Sequence, residues 1–211
     1  MTGGATSPRP DAASVGTNDA HRPVTTSPAV EPRPAGWPDG WTWCPRCATA
    51  LDWLSAPEDS GPRHRLRCPA CDFTHWNNPT PVLAAIVECT DQDGQVLLAR
   101  NAAWPNRFFG LITGFMEAGE TPEEGIRREV LEETALTVTH LSLVGVYDFQ
   151  PMNQVIIAYH AQAQGEIRLS PELLEYKLFA PAALRCWPRG TGQALAAWLR
   201  GRGIEPQWLG P

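Results

Sequence analysis

Gly114 to Leu136 reads GFMEAGETPEEGIRREVLEETAL. Inside it, Glu129, Glu132 and Glu133 sit around Val130 and Leu131. Residues three and four apart share a helix face, so Glu129 stands beside both other glutamates. Like charges at that spacing weaken a bare helix. A divalent cation reverses the balance, and hard carboxylate oxygens suit Mg2+ or Mn2+, which also take substrate phosphate oxygens. The helix start is legible too. Thr121 is an N-cap, Pro122 occupies the first helical position and Glu124 the third, which makes a capping box. Ile126, Val130 and Leu131 form the apolar stripe, with Leu136 just past the end. Gly114 and Gly119 bracket the preceding loop, and glycine there lets main chain come close to a ligand.

The order is Gly114, five residues, Glu120, seven residues, Arg128-Glu129-Val130-Leu131-Glu132-Glu133, two residues, then Leu136. It resembles the Nudix box, the signature of the Nudix hydrolases. One position departs, since the family has glycine where this chain has Ala135. Glycine there closes the helix in a left-handed conformation, which alanine adopts at a cost of about 1 kcal/mol. A solvated acidic helix would account for the charge run alone. It would not account for the glycines, the cap, Glu120 or Arg128.

The resemblance implies an α/β class, an α/β/α sandwich around a mixed sheet. It implies metal-dependent hydrolysis of a nucleoside diphosphate linked to another group. By position, Glu129, Glu132, Glu133 and the Gly114 carbonyl are then metal ligands, for Mg2+ or Mn2+. Arg128 holds the glutamates by bidentate contacts, and Glu120 supports the loop or joins an outer metal site. The base that activates water is Glu133 through a metal-bound water, or Glu172 or Glu175 on a later loop.

Cys44-Pro-Arg-Cys47 and Cys68-Pro-Ala-Cys71 are separated by 20 residues. Two such knuckles supply four thiolates to a tetrahedral Zn2+, and four protein ligands make the zinc structural. The pattern resembles a zinc ribbon. A ribbon followed by a Nudix domain resembles the NADH pyrophosphatase group, which cleaves NADH into NMNH and AMP. That group carries SQPWPFP after the box. Here residues 147–154 read YDFQPMNQ, and only Gln150-Pro151 matches. Tyr147 and Phe149 could stack on a base, and Gln150, Asn153 and Gln154 could bond a nucleotide edge. The substrate expected is an NADH- or NAD-type dinucleotide, giving AMP and a mononucleotide. ADP-ribose or FAD hydrolysis is the alternative, as is a nucleotide-binding sensor without catalysis. The complete glutamate set favours an enzyme.

The rest of the chain frames these motifs. Residues 1–36 are rich in Pro, Thr, Ser and Ala and read as a disordered tail. Residues 37–76, opening on Trp37, Trp41 and Trp43, read as the ribbon, and residues 80–205 as the hydrolase domain. Within that domain strands are expected at Val82 to Glu88 and Gln95 to Arg100, joined by a turn at Asp91 to Gly94. Further strands are expected at Leu111 to Thr113, over 137–147 as one or two, and at Val155 to Gln162. Weaker ones fall at Glu166 to Leu169 and Tyr176 to Ala180. Thr191 to Arg200 reads as a helix with Leu195, Trp198 and Leu199 on its apolar face. Cys89 and Cys186 read as small buried residues. The net charge of -6 argues against a broad nucleic-acid surface. The chain has no apolar run near the roughly 20 residues of a membrane span, and no apolar signal core at its start, so a cytoplasmic location is expected. A homodimer stays open.

Overall fold

The computed structural model describes residues 41–104 and 108–210. The expectations for the tail at 1–36 and for Trp37 lie outside them. The chain divides into two compact units, one ending at Trp76 and one beginning at Asn77.

The first unit holds three short strands, β1 (Asp52–Ala56), β2 (Arg63–Arg67) and β3 (Thr74–His75), paired antiparallel in that order. Trp53 on β1 lies opposite Leu66 on β2, and both are buried. Side chains alternate across a strand, so Arg63, Arg65 and Arg67 share the other face. A unit this small buries too little apolar surface to be stable without a cross-link or a metal.

The second unit runs β4 (Thr80–Cys89), β5 (Gln95–Asn101), β6 (Ile112–Phe115), α1 (Pro122–Thr134), β7 (Thr137–Phe149), β8 (Gln154–Gln164), β9 (Leu173–Phe179), β10 (Arg185–Cys186), α2 (Thr191–Gly201) and β11 (Gln207–Trp208). Six strands form one sheet in the order β7-β8-β4-β5-β9, with β6 also on β4. β4 and β8 run parallel and the other neighbours antiparallel, so the sheet is mixed. β4 is central and covered on both faces, which is why VLAAIV is a continuous apolar run. Leu83, Ala85 and Val87 pack with Ile126 and Val130 of α1. Ile86, alternating with them, packs with Leu195, Ala196 and Leu199 of α2. The expected α/β/α sandwich with a mixed sheet is thus present. No helix among the described residues is long and apolar enough to cross a membrane.

Two local expectations are met and a third is not. Residues 137–147 belong to a single strand, β7, broken in register near Val138/His140 and Leu143/Gly145. Ala135 does adopt the left-handed conformation, with φ 61° and ψ 11°, and its N–H reaches the Leu131 carbonyl. Glu166 to Leu169 is not a strand. Its alternation is right for one, but its partner is a helix end. The Arg168 N–H donates to the Thr134 carbonyl at 2.9 Å and the Ser170 N–H to the Glu133 carbonyl at 3.0 Å. Those carbonyls end α1 and lack partners within the helix.

Candidate active site

The capping box fixes where α1 begins. Glu124 N–H donates to the Thr121 hydroxyl at 3.2 Å, and the Glu124 carboxylate accepts from the Thr121 N–H at 2.8 Å. One turn further on, Arg128 gathers the acidic groups. Its Nε and Nη2 donate to the two Glu120 oxygens at 3.1 and 2.9 Å. Its Nη1 donates to Glu129 at 2.8 Å and to Glu132 at 3.1 Å, and Nη2 also reaches the Phe115 carbonyl at 3.3 Å. Glu120 accepts in addition from the Glu117 N–H at 2.7 Å. One guanidinium therefore ties the loop to three carboxylates of the motif.

The glycines explain how these groups fit. A Cβ on Gly114 would fall on the Glu129 carboxylate, so only glycine lets the side chain lie there. A Cβ on Gly125 would strike both Leu83 and the Glu120 carboxylate. Gly125 was not singled out by the sequence reading. The available signal was a glycine inside a helix, which costs about 1 kcal/mol relative to alanine.

Glu133 differs from its neighbours. It is 6% exposed, and no hydrogen bond among the described residues reaches its carboxylate. It lines a narrow crevice with Asn101, Trp104, Thr113 and Leu173. Burial, then the charges of Glu129, Glu172 and Glu132, push its carboxyl up to about 8. Burial also raises Glu129, against the pull of Arg128. Hydrogen bonds from Arg128 instead hold Glu120 below the usual carboxylate range. Carboxylates whose charge is opposed by burial and by one another are the donor set that a cation relieves. The residues therefore fit a hard divalent ion chemically. Arg128 draws oxygens of Glu129 and Glu132 towards itself, and the glutamates do not converge on one point as the cysteines do.

The two later glutamates separate cleanly. Glu175 is paired with Arg100 Nε at 2.9 Å. Among the described residues the Glu172 carboxylate has no such partner, and its charge acts on Glu133. Its backbone is held at both ends, since Glu172 N–H donates to Ser170 Oγ at 3.3 Å and its carbonyl accepts from Ala102 N–H at 2.8 Å.

The four residues expected to bind nucleotide lie apart from the α1 glutamates or at loops. Tyr147 and Phe149 pack against Ala84, Ile156, Ala158 and Ala194, on the α2 face of the sheet. The glutamates belong to α1, on the opposite face. Tyr147 and Phe149 are thus partly buried on the face away from α1, and a stacking role for them stays a proposal. Asn153, itself left-handed, donates its amide to Asn77 Oδ1 at 3.1 Å, so it ties two loops instead of offering that group to a ligand. Gln150 is exposed and opens a short 3-10 turn, and Gln154 begins β8. Phe115, directly after Gly114, is 59% exposed and pairs with Val82, so it shares the α2 face of the sheet with Ile156 and Tyr147.

In the first unit the four cysteines come together. All four ligand atoms lie within 4.8 Å of one another, with Cys44–Cys71 and Cys47–Cys68 Sγ pairs at 3.4 Å. Sulfurs of a tetrahedral zinc site lie about 3.8 Å apart, from Zn–S distances near 2.3 Å. No disulfide joins them. The Arg46 and Ala70 N–H groups each point at a sulfur, on Cys44 and Cys68, at 3.4 Å. Donors of that kind favour thiolate, so the cluster suits zinc.

Residues 79–199 match the NUDIX domain family. A relative in Mycobacterium tuberculosis named NAD-capped RNA hydrolase NudC is 39% identical over 83 residues, covering 38% of this chain and 26% of that protein. One of the same name in Pseudomonas putida is 28% identical over 158 residues, covering 74% of this chain and 52% of its own length. The chain thus spans between about a quarter and half of the curated relatives it matches. Among solved structures, a NUDIX hydrolase from Nitrosomonas europaea aligns with a TM-score of 0.61 at 26% identity, covering 80% of this chain and 98% of that one.

Proposed function

The chain belongs to the Nudix family, and on that premise we propose that it is a metal-dependent pyrophosphohydrolase acting on a nucleoside diphosphate derivative. The substrate we infer is an NADH- or NAD-type dinucleotide, cleaved to AMP and a second mononucleotide. The observation that carries this is the constellation on α1: a buried Glu133 whose carboxylate has no hydrogen-bond partner among the described residues, beside Glu129 and Glu132, which Arg128 holds.

Glu129, Glu132 and Glu133 would hold Mg2+ or Mn2+, with the Gly114 carbonyl as a further ligand by family resemblance. Such an ion neutralises the diphosphate and lowers the pKa of bound water. Arg128 keeps Glu120, Glu129 and the Phe115 carbonyl in register, so the loop and the helix present one preformed surface. Glu172 is the group free to take the proton as water oxygen attacks phosphorus and the bridging P–O bond breaks, with the bridging oxygen leaving on the second phosphate. Glu175 is committed to Arg100. In this reading Cys44, Cys47, Cys68 and Cys71 would hold structural Zn2+ in a ribbon that ends at Trp76, and residues 80–205 would be the hydrolase domain.

The name shared by the relatives puts NAD-capped RNA among the substrates to test. ADP-ribose and FAD form the second reading, favoured by the reduction of the downstream motif to Gln150-Pro151 and by the burial of Tyr147 and Phe149 against α2. The experiment measures kcat/KM for NADH, NAD, ADP-ribose, FAD and NAD-capped RNA under Mg2+ and Mn2+. Release of AMP from NADH above the other small substrates supports the proposal. Preferential cleavage of ADP-ribose or FAD replaces the substrate. Tight nucleotide binding with no turnover leaves a sensor.

A further inference from the structure

The face of the ribbon sheet opposite Trp53 and Leu66 carries three arginines in a row, Arg63, Arg65 and Arg67, at alternate positions of β2. Alternate residues on one face of a strand stand about 6.8 Å apart. That is comparable with the separation of successive phosphates along an extended single strand of nucleic acid. Beside the row lies Trp76, 52% exposed, with the Arg65 guanidinium 5.4 Å from its ring centroid. Glu58 accepts from Arg65 Nε at 2.8 Å and Nη2 at 3.2 Å, while Arg65 Nη1 donates to the Trp76 carbonyl at 3.2 Å. Arg65 is therefore fixed as a bracket for the indole. The outer two arginines keep free donors. The Arg63 side chain is 59% exposed and only 3.8 Å from Glu58 at its nearest, and Arg67 uses Nε alone, on Thr74 Oγ1 at 3.1 Å.

Residues 41–76 carry four arginines against four acidic residues, Asp52, Glu58, Asp59 and Asp72, so the acidic excess of the chain lies elsewhere. Asp52 stands opposite Arg67 on this same face and Glu58 is engaged by Arg65, so the donors left for a polyanion are those of Arg63 and the Nη groups of Arg67. Positively charged side chains that track a backbone, beside an exposed indole on which a base can lie, are the two parts of a sequence-tolerant single-strand site.

We propose that this face of the ribbon binds an extended single strand of nucleic acid, phosphates on Arg63 and Arg67 and a base on Trp76. The site is local, and so compatible with the absence of a broad basic surface. It does not depend on the hydrolase reading, since none of its residues belongs to the α1 constellation.

The test uses the full zinc-loaded chain and a fluorescein-labelled 15-nucleotide oligouridylate, with anisotropy titrations from 50 to 200 mM salt. The wild type should bind with a salt-dependent Kd. Replacing Arg63→Gln together with Arg67→Gln should lower the slope of log K against log salt by about 1.4, from about 0.7 per phosphate contact on a single strand. The Arg63→Lys, Arg67→Lys pair should keep the slope. Trp76→Ala should weaken binding by about fivefold or more, the loss of one base stack. Zinc content and turnover of small dinucleotides should be unchanged in every variant, which separates this site from the catalytic one. No binding at 50 mM salt overturns the proposal, as does a slope unmoved in the double glutamine variant.

Discussion

Replacing Ala135 by glycine should stabilise the second unit. Ala135 sits at φ 61° and ψ 11°, closing α1 through its N–H to Leu131. The left-handed region costs an L-residue with a Cβ about 1–2 kcal/mol, and glycine removes that cost. Glycine also adds freedom to the unfolded chain, which takes back about 0.4–1 kcal/mol. The net gain is therefore about 0.5–1 kcal/mol. For a unit of this size, with an unfolding entropy near 2.1 cal/mol/K per residue, that corresponds to a rise of about 2–4 °C in Tm. Differential scanning calorimetry of wild type and Ala135→Gly, both zinc-loaded, measures it directly. The position lies past the last ligand candidate, so turnover should not change. A Tm that stays put or falls would refute the reasoning, because it would mean that the methyl group contributes packing worth as much as the strain.

Glu132 has a 59% exposed side chain, so Glu132→Gln should leave the Tm nearly unchanged while abolishing Mg2+-dependent turnover; near-normal turnover would remove it from the metal site. Cys68→Ser should lower zinc to well below one equivalent and loosen residues 41–76, read by elemental analysis and hydrogen exchange. Phe149→Ala should destabilise by about 2 kcal/mol, less than the 3–5 kcal/mol of a fully buried ring, in urea denaturation; unchanged stability with a raised KM would favour a stacking role instead. Stability should also fall on the acid side through Glu88, which is buried and accepts from His160 at 2.8 Å and Arg202 at 2.9 Å. Burial lowers His160, so the unfolded chain protonates it first and stability drops as pH falls below about 6.5. Despite burial, Arg202 and His160 hold Glu88 below its usual range, which adds a second loss on the acid side, below about pH 4.5. Urea midpoints from pH 8 to 4 should show a smaller drop across pH 6.5 in His160→Gln, and an equal drop would exclude His160.

What the sequence made legible was whatever depends on neighbours along the chain. Thr121, Pro122 and Glu124 marked the start of α1, the glutamate spacing marked its face, and the paired CxxC motifs marked four cysteines that meet. What it hid depends on contacts made across the fold. Tyr147 and Phe149 have the same parity as Leu141, which packs on the α1 side, yet they face α2. The irregularity near Leu143/Gly145 shifts the register between them, and one extra residue turns every later side chain to the other face. Gly125 looked like an ordinary weak point of a helix, and its reason is the Glu120 carboxylate that lies against it. Residues 166–169 alternate like a strand, but a helix end takes their amides.

That last arrangement makes the segment from Gly165 to Glu172 a ruler. Its zero mark is the end of α1, set by the amides of Arg168 and Ser170 on the Thr134 and Glu133 carbonyls. Glu172 is then two residues along, at a reach the helix itself dictates. Sequence drift that swaps side chains at 166–169 leaves the scale intact, because only main-chain groups are used. A residue gained or lost between Arg168 and Glu172 would move the acid relative to Glu133 by the length of one peptide, about 3.8 Å. A similar change in the turn at Asp91 to Gly94 would be absorbed where it occurred. Variation in the length of this stretch among related chains would accordingly mark a change of which acid faces Glu133, even where the helix motif reads the same.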